Sequence, residues 1–134
     1  MHEFLHPKGW KPAIGYSNGV AATGRMVFTG GMVGWTGDCV FETDDFAGQA
    51  AQALRNIVAV LAEAGARPEH IVRLTWYVTD KAEYLASLKA LGAAYKAVIG
   101  DHYPAMALVQ VVALVEDAAK VEIEATAVIP EACA

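Results

Sequence analysis

Two glutamates near the end of the chain are the residues best suited to proton chemistry. Glu122 and Glu124 stand two positions apart in an alternating polar and apolar stretch, so a β-strand would place both carboxylates on one face. A carboxylate in a water-filled cavity can act as a general acid or base, or it can orient a water molecule. The alternative is a solvated edge strand without a chemical role, and the spacing alone favours neither interpretation.

Aromatic and glycine residues in the first third of the chain are candidate ligand contacts. Tyr16 and Trp35 flank a strand-rich region and could line a pocket, although exposed aromatics also pack against neighbouring subunits. Gly30 and Gly31 do not form the glycine pattern of a dinucleotide-binding loop. They favour a bulge at a strand end, and close approach of a small ligand is a second reason for glycine there.

The histidines and cysteines do not form a metal-binding motif. They are dispersed along the chain, at His2, His6, His70, His102, Cys39 and Cys133. None of the usual zinc-ligand spacings occurs, so we expect no metal, and no cofactor is indicated. Two distant cysteines also exclude a disulfide framework and are typical of a reducing cytoplasm.

An irregular arm followed by a β-hairpin is predicted at the start of the chain. Residues 1–15 contain two prolines and two glycines, which favour turns over a helix or a central strand. Residues 16–33 contain two strand-like runs separated by a turn at Thr23–Arg25. This pattern predicts two paired strands.

Two amphipathic helices alternate with the remaining strands. An apolar stripe from Phe46 to Leu61 predicts a helix that Thr43 or Asp44 caps and that ends at Gly65. A capping pattern at Asp80–Glu83 begins a second helix that reaches Gly100. Strands are predicted over residues 71–78, 105–114 and 120–129.

The element order is therefore ββαβαββ, an α+β arrangement around one mixed sheet. Strand–helix–strand crossovers are right-handed, so both helices are expected on the same face of the sheet. The last strand places Lys120, Glu122, Glu124 and Thr126 on the opposite face. A bare face of mixed polarity indicates a subunit interface around a wet cavity, which predicts a symmetric homo-oligomer.

Composition limits the possible classes of protein. The 134 residues suit a single domain over 1–134, and an apolar fraction of 55% argues against disorder. Ten basic residues against fifteen acidic ones give a net charge of −5 without a basic cluster, which argues against nucleic-acid binding. Apolar runs are too short to span a membrane, so we expect a cytoplasmic protein.

Six sequence blocks in a fixed order resemble the Rid family, also called the YjgF/YER057c/UK114 family. The blocks are Gly15–Val20, Val27–Gly31, Ala53–Ile57, Thr75–Asp80, Tyr103–Ala105 and Val121–Ala125. They span nearly the whole chain, and their order and spacing are specific together. The resemblance implies a chorismate-mutase-like (YjgF-like) α+β fold and a homotrimer with ligand clefts between subunits.

The same resemblance implies which residues carry out the chemistry. In the best-studied branch, members hydrolyse reactive enamines and imines to 2-oxo acids and ammonia, and an arginine after Pro-Ala binds the substrate carboxylate. Met106 occupies that position here, so the chain resembles a branch that lacks this arginine. Glu122 aligns with the water-associated glutamate and is the implied catalytic residue. The implied substrate-binding residues are Tyr16, Gly31, Trp35, Met106 and Ala107.

Three functions remain open from the sequence. The first is a hydrolytic deaminase for a larger imine, such as a 2-aminomuconate-like one, with its acid group held by Lys120, Arg73 or Arg25. The second is a non-catalytic ligand-binding or protein-stabilising trimer. An endoribonuclease is the least favoured, because the chain is acidic and has no basic groove.

Overall fold

The computed structural model describes residues 2–131, so Cys133 lies outside the described residues. Its strands are β1 Glu3–Leu5, β2 Gly19–Ala21, β3 Arg25–Phe28, β4 Met32–Val33, β5 Ile71–Val78, β6 Ala105–Gln110 and β7 Val121–Ile129. Its helices are α1 Phe46–Ala62, α2 Lys81–Ala86 and α3 Leu88–Val98, and a 3₁₀ turn at Pro68–His70 precedes β5. None of the helices in this part of the chain is long and apolar enough to cross a membrane.

Strand β7 is the centre of a mixed five-stranded sheet. The strand order is β3-β7-β5-β6, and β4 continues the β3 side along β7. β7 is antiparallel to β3, β4 and β5, whereas β5 and β6 are parallel. β1 and β2 form a separate antiparallel pair. The predicted α+β class with a mixed sheet is therefore confirmed.

The predicted N-terminal hairpin is wrong, because its two strands pair with other partners. β2 pairs with β1, which lies in the arm that was expected to be irregular, and β3 pairs with β7. The turn between β2 and β3 contains Gly24 with a φ of +149°, and a Cβ there would lie 2.8 Å from the carbonyl carbon of Ile129. This close approach to the end of β7 directs β3 along β7, a long-range contact that a local hairpin pattern does not contain.

Helix α1 follows the predicted stripe but begins with a different cap. The predicted caps, Thr43 and Asp44, are wrong, since the Asp45 side chain accepts the hydrogen bond from the backbone N–H of Gly48 at 2.8 Å. Thr43 instead accepts a hydrogen bond from the N–H of Asp45. That bond leaves Asp45 as the last extended residue before the helix.

The second predicted helix is divided at Ser87 into α2 and α3. The Ser87 hydroxyl donates to the carbonyl of Glu83 at 2.8 Å, and its backbone N–H donates to Tyr84 instead. A serine side chain that takes the carbonyl four residues earlier competes with the helical ladder and interrupts it. The predicted cap at Asp80 is confirmed, because its side chain accepts from the N–H of Glu83.

The sheet has one covered face and one open face. The covered face packs against α1 and α3, and its buried residues are Leu74, Trp76, Val78, Val121, Ile123, Ala125 and Ala127. The side chains between them, Thr75, Tyr77, Glu122, Glu124 and Thr126, are only half-buried and form what we call the open face. Met26 and Phe28 of β3 are about two-thirds exposed. Phe28 pairs with Thr126, so it extends the open face.

One buried amide joins α1 to the start of β7. Gln49 is fully buried, and its nitrogen donates to the carbonyls of Thr43 at 3.1 Å and Ala118 at 2.9 Å. Its oxygen accepts from the backbone N–H of Lys120 at 2.8 Å. Because all of its polar atoms are paired, Gln49 fixes where β7 begins relative to the helix.

We expect Gln49→Leu to lower the free energy of unfolding by about 3 kcal/mol, because three backbone groups would lose their partner in a buried site. Gln110→Leu is the matched control, since Gln110 is exposed and water can replace its bond to the N–H of Lys81. Denaturant unfolding at equal protein concentration measures both variants. Equal losses would contradict the role given to Gln49.

Candidate active site on the open face of the sheet

A bulge between β3 and β4 brings Gly31 against Glu122. Phe28 pairs with Thr126 and Met32 with Ile123, so the three residues 29–31 face only two residues of β7. The predicted bulge at the glycines is therefore confirmed. A Cβ on Gly31 would lie 2.8 Å from Cδ of Glu122. Any side chain at position 31 would displace this carboxylate, so only glycine is compatible with its present position.

Thr29 holds the bulge to β7. Its N–H donates to the carbonyl of Ala125 at 2.9 Å, and its side-chain oxygen accepts from the N–H of Ala125 at 3.0 Å. The side chain thus supplies a ladder bond that the displaced backbone does not make. This arrangement fixes the backbone next to Glu122.

Glu124 is bound by a tyrosine, whereas Glu122 is not. The Tyr77 hydroxyl donates to Oε1 of Glu124 at 3.0 Å. This hydrogen bond raises the pKa of Tyr77, so its hydroxyl stays protonated at neutral pH. Within residues 2–131 no side chain donates a hydrogen bond to Glu122. Of the two carboxylates, Glu122 is the one free to accept a proton from water.

Asn56 attaches the Trp35 segment to α1. Its side-chain nitrogen donates to the carbonyls of Val33 at 3.1 Å and Trp35 at 2.7 Å. Val33 pairs directly with Glu122, and the Trp35 ring lies 5.7 Å from the ring of Phe41. Trp35 is therefore held close to the start of β7, two residues beyond the partner of Glu122.

Met106 and Tyr16 lie together, but on the other side of the sheet. Met106 pairs with the buried Leu74 and packs against the core under the helices. With Tyr16 it lines a cleft of about 770 Å³ that also contains Trp76 and Tyr95. Ser17 attaches the Tyr16 segment to β6, since its N–H donates to the carbonyl of Pro104. The structure thus does not bring Met106 or Tyr16 to the face that carries Glu122.

Ala107 lies on the open face but not next to Glu122. It pairs with Thr75, which in turn pairs with Glu124. Its side chain is exposed. Of the predicted site residues, the structure therefore joins Gly31 directly to Glu122 and leaves Ala107 two strands away.

Two of the three cations expected to hold a substrate acid group have other partners. Nζ of Lys120 lies 2.9 Å from Oε2 of Glu83, and this hydrogen bond raises the pKa of Lys120. Arg25 donates to the carbonyl of Ala64 after α1. Arg73 is exposed and belongs to the open face, four residues before Tyr77 on β5.

The sequence patterns missed the polar residues that support the site. Thr29, Gln49 and Asn56 act through side-chain hydrogen bonds to backbone groups that are distant in the chain. The sequence could have pointed to Gln49, because an amide within the apolar stripe of α1 would be buried and would need a hydrogen-bond partner. Clusters of three or more metal-ligating side chains are absent from the described part of the chain.

The fold and the site define an α+β protein of the YjgF-like type, with helices on one face of a mixed sheet and carboxylates on the other. The family model described as Endoribonuclease L-PSP matches residues 8–129. The chain belongs to this family, which is also the Rid or YjgF family.

Relatives of known sequence or structure agree with this assignment. The chain is 36% identical over 120 residues to 2-iminobutanoate/2-iminopropanoate deaminase of Salmonella typhimurium, covering 87% of this chain and 89% of that protein. It is 35% identical over 80 residues to a RutC family protein of Aquifex aeolicus, a match that spans 60% of this chain and 63% of that protein. The crystal structure of YyfB from Yersinia pestis, a protein of unknown function in the Rid family, superposes with a TM-score of 0.85 at 32% identity over 96% of this chain and 98% of that one.

We expect Gly31→Ala to displace the Glu122 carboxylate, because the added methyl group overlaps its present position. The carboxylate end of a glutamate is flexible, so the loss in unfolding free energy should stay near 1 kcal/mol. Gly30→Ala is the control, since a Cβ at Gly30 has no atom within 4 Å. Crystal structures of both variants measure the effect, and an unmoved Glu122 in Gly31→Ala would contradict it.

Proposed function

We propose that this protein is a hydrolytic deaminase of reactive imines and enamines, with Glu122 as its catalytic residue. The observation that carries the proposal is a carboxylate held against the Gly31 backbone at a bulge, without a side-chain donor of its own among the described residues. The family assignment supports it, as does the name of the Salmonella typhimurium relative, an imine deaminase.

The proposed reaction needs one proton acceptor and one reactive water molecule. An enamine first tautomerises to an imine, which is protonated on nitrogen. Glu122 removes a proton from water while the water oxygen bonds to the carbon of the C=N bond. The same carboxyl group returns the proton to the nitrogen of the carbinolamine, the C–N bond breaks, and ammonia leaves. The hydroxyl then loses its proton to the ammonia, which leaves a carbonyl product.

The open face supports a homotrimer with sites between subunits. Met26 and Phe28 are about two-thirds exposed and Val109 nearly half, so the open face that carries Glu122 also presents apolar surface. Apolar groups that water would otherwise contact favour association of this face. Association would also surround Glu122 with protein and raise the strength of its electrostatic interactions.

The proposed substrate class follows from the residue that occupies the position of the family arginine, Met106. Met106 cannot form the charge-assisted bond that an arginine makes with a carboxylate, so we assign the chain to a branch with different substrate anchoring. A 2-aminomuconate-like imine belongs to the substrates that such a branch can hold. The alternative is a ligand-binding or protein-stabilising trimer without turnover, and the acidic chain gives an endoribonuclease the least support.

We expect Glu122→Gln to lower the rate of ammonia release by about a hundredfold or more, because the amide cannot accept the proton of the attacking water. The assay supplies 2-aminoacrylate and 2-aminomuconate in separate reactions and subtracts hydrolysis in buffer. Glu63→Gln is the control, because this exposed glutamate caps the distant end of α1. An unaltered rate in Glu122→Gln removes Glu122 from the mechanism, and no rate above buffer with any imine favours the binding protein.

We expect Phe28→Asp to dissociate the assembly, since it places a charge in an apolar contact of the open face. Phe28→Leu keeps an apolar side chain and should keep the assembly. Sedimentation at micromolar concentration measures the mass of each variant. An unaltered protein that sediments as a monomer would contradict the trimer.

A further inference from the structure

The two carboxylates of the open face differ in their surroundings although they share one strand. Glu122 and Glu124 are two residues apart, which places them about 7 Å from each other along β7. At this distance two negative charges repel each other measurably even in water. A group that changes the charge distribution of Glu124 therefore also changes the electrostatic repulsion that Glu122 experiences.

Tyr77 is the residue that connects the two. Its Cα is paired with that of Glu122 across β5 and β7, but its hydroxyl reaches diagonally to Oε1 of Glu124 at 3.0 Å. A hydrogen bond from a phenol to a carboxylate spreads the negative charge over the pair and holds the carboxylate in one position. Tyr77 is therefore the strand partner of one carboxylate and the hydrogen-bond donor of the other.

The other charged groups around Glu122 do not take over this role. Lys120, which directly precedes β7 and lies two residues from Glu122, is bound to Glu83 of α2 at 2.9 Å. Arg73 lies four residues before Tyr77 on β5, about 13 Å along the strand. The bulge beside Glu122 presents Gly30 and Gly31, which carry no charge. Among the described residues, Glu124 is thus the charged neighbour of Glu122 on β7, and its partner is the neutral Tyr77 and not a cation.

We propose that Tyr77 is a positioning residue, which binds Glu124 so that Glu122 remains the single free base of the site. This inference rests on the proposed deaminase function and assigns different tasks to two otherwise similar carboxylates. Glu124 stays a fixed, hydrogen-bonded anion, and Glu122 exchanges protons with water. Pairs of carboxylates with contrasting surroundings divide acid–base tasks in this way.

The test is the pH profile of kcat/KM for Tyr77→Phe, Glu124→Gln and the double variant, with whichever of 2-aminoacrylate and 2-aminomuconate the unaltered protein hydrolyses faster as the substrate. Tyr77→Phe should move the acid limb to higher pH by a few tenths of a unit, because the charge of Glu124 is then unshared. Glu124→Gln should move it to lower pH by about 0.5 unit, since the charge is gone. In the double variant, loss of the Tyr77 hydroxyl should have no further effect.

A second measurement does not depend on turnover. Carbon-13 NMR of the Glu122 carboxyl group, in the assembled protein, should give titration midpoints that move in the same directions in the same three variants. An acid limb and a midpoint that stay unmoved in Tyr77→Phe would overturn the inference, as would a shift that persists in the Glu124→Gln background. If the unaltered protein hydrolyses no imine, the proposed function fails, and the NMR shifts still decide whether Tyr77 separates the two carboxylates.

Discussion

The alternation of side chains along β7 is the constraint on which the rest of the structure depends. β7 pairs with β3, β4 and β5, so every strand that approaches the site is placed relative to it. Val121, Ile123 and Ala125 are buried against the helices, and burial of these three residues fixes the register. A shift of the strand register by one residue would bury the Glu122 and Glu124 carboxylates under α1 without hydrogen-bond partners. Burial of unpaired charges carries a large free-energy cost, which disfavours that register. The hydrophobic core therefore determines that both carboxylates face outward.

A bulge with one extra residue between β3 and β4 then brings the backbone close to Glu122. At the bulge of residues 29–31, a side chain in place of Gly31 would overlap the Glu122 carboxylate. Gly31 presents only backbone at this point, and the Thr29 side-chain oxygen accepts the hydrogen bond from the N–H of Ala125. Since the bulge lies between a core-packed Val27 and a core-packed Met32, the surrounding structure holds it in place.

The sequence predicted those features that repeat along one element, and it failed where a distant partner decides. The alternation of β5 and β7 and the stripe of α1 are local, and all three are confirmed by burial. The hairpin failed because β3 gains more from β7, which is about 100 residues later, than from its neighbour β2. The division of the second helix at Ser87 was missed. A serine within a helix can leave the backbone hydrogen bonds intact or bind the carbonyl four residues earlier with its hydroxyl, and the sequence does not show which arrangement forms. The open face followed from alternation alone, whereas the contacts of Gln49 and Asn56 needed the folded structure.

The separation of the two faces also limits how a substrate acid group can be bound. Met106 lies on the covered side of the sheet, so no side chain at that position reaches Glu122 through the sheet of the same chain. Lys120 and Arg25 are engaged with Glu83 and with the carbonyl of Ala64. Of the three cations considered, only Arg73 then remains as a candidate anchor for the acid group. It lies on the open face of β5, two residues before the partner of Glu124 and four before the partner of Glu122. For the proposed imine substrate, the candidate anchors of an acid group are therefore Arg73 and, in the proposed assembly, a group from a neighbouring copy. In the second case, binding of the acid group would depend on the proposed assembly.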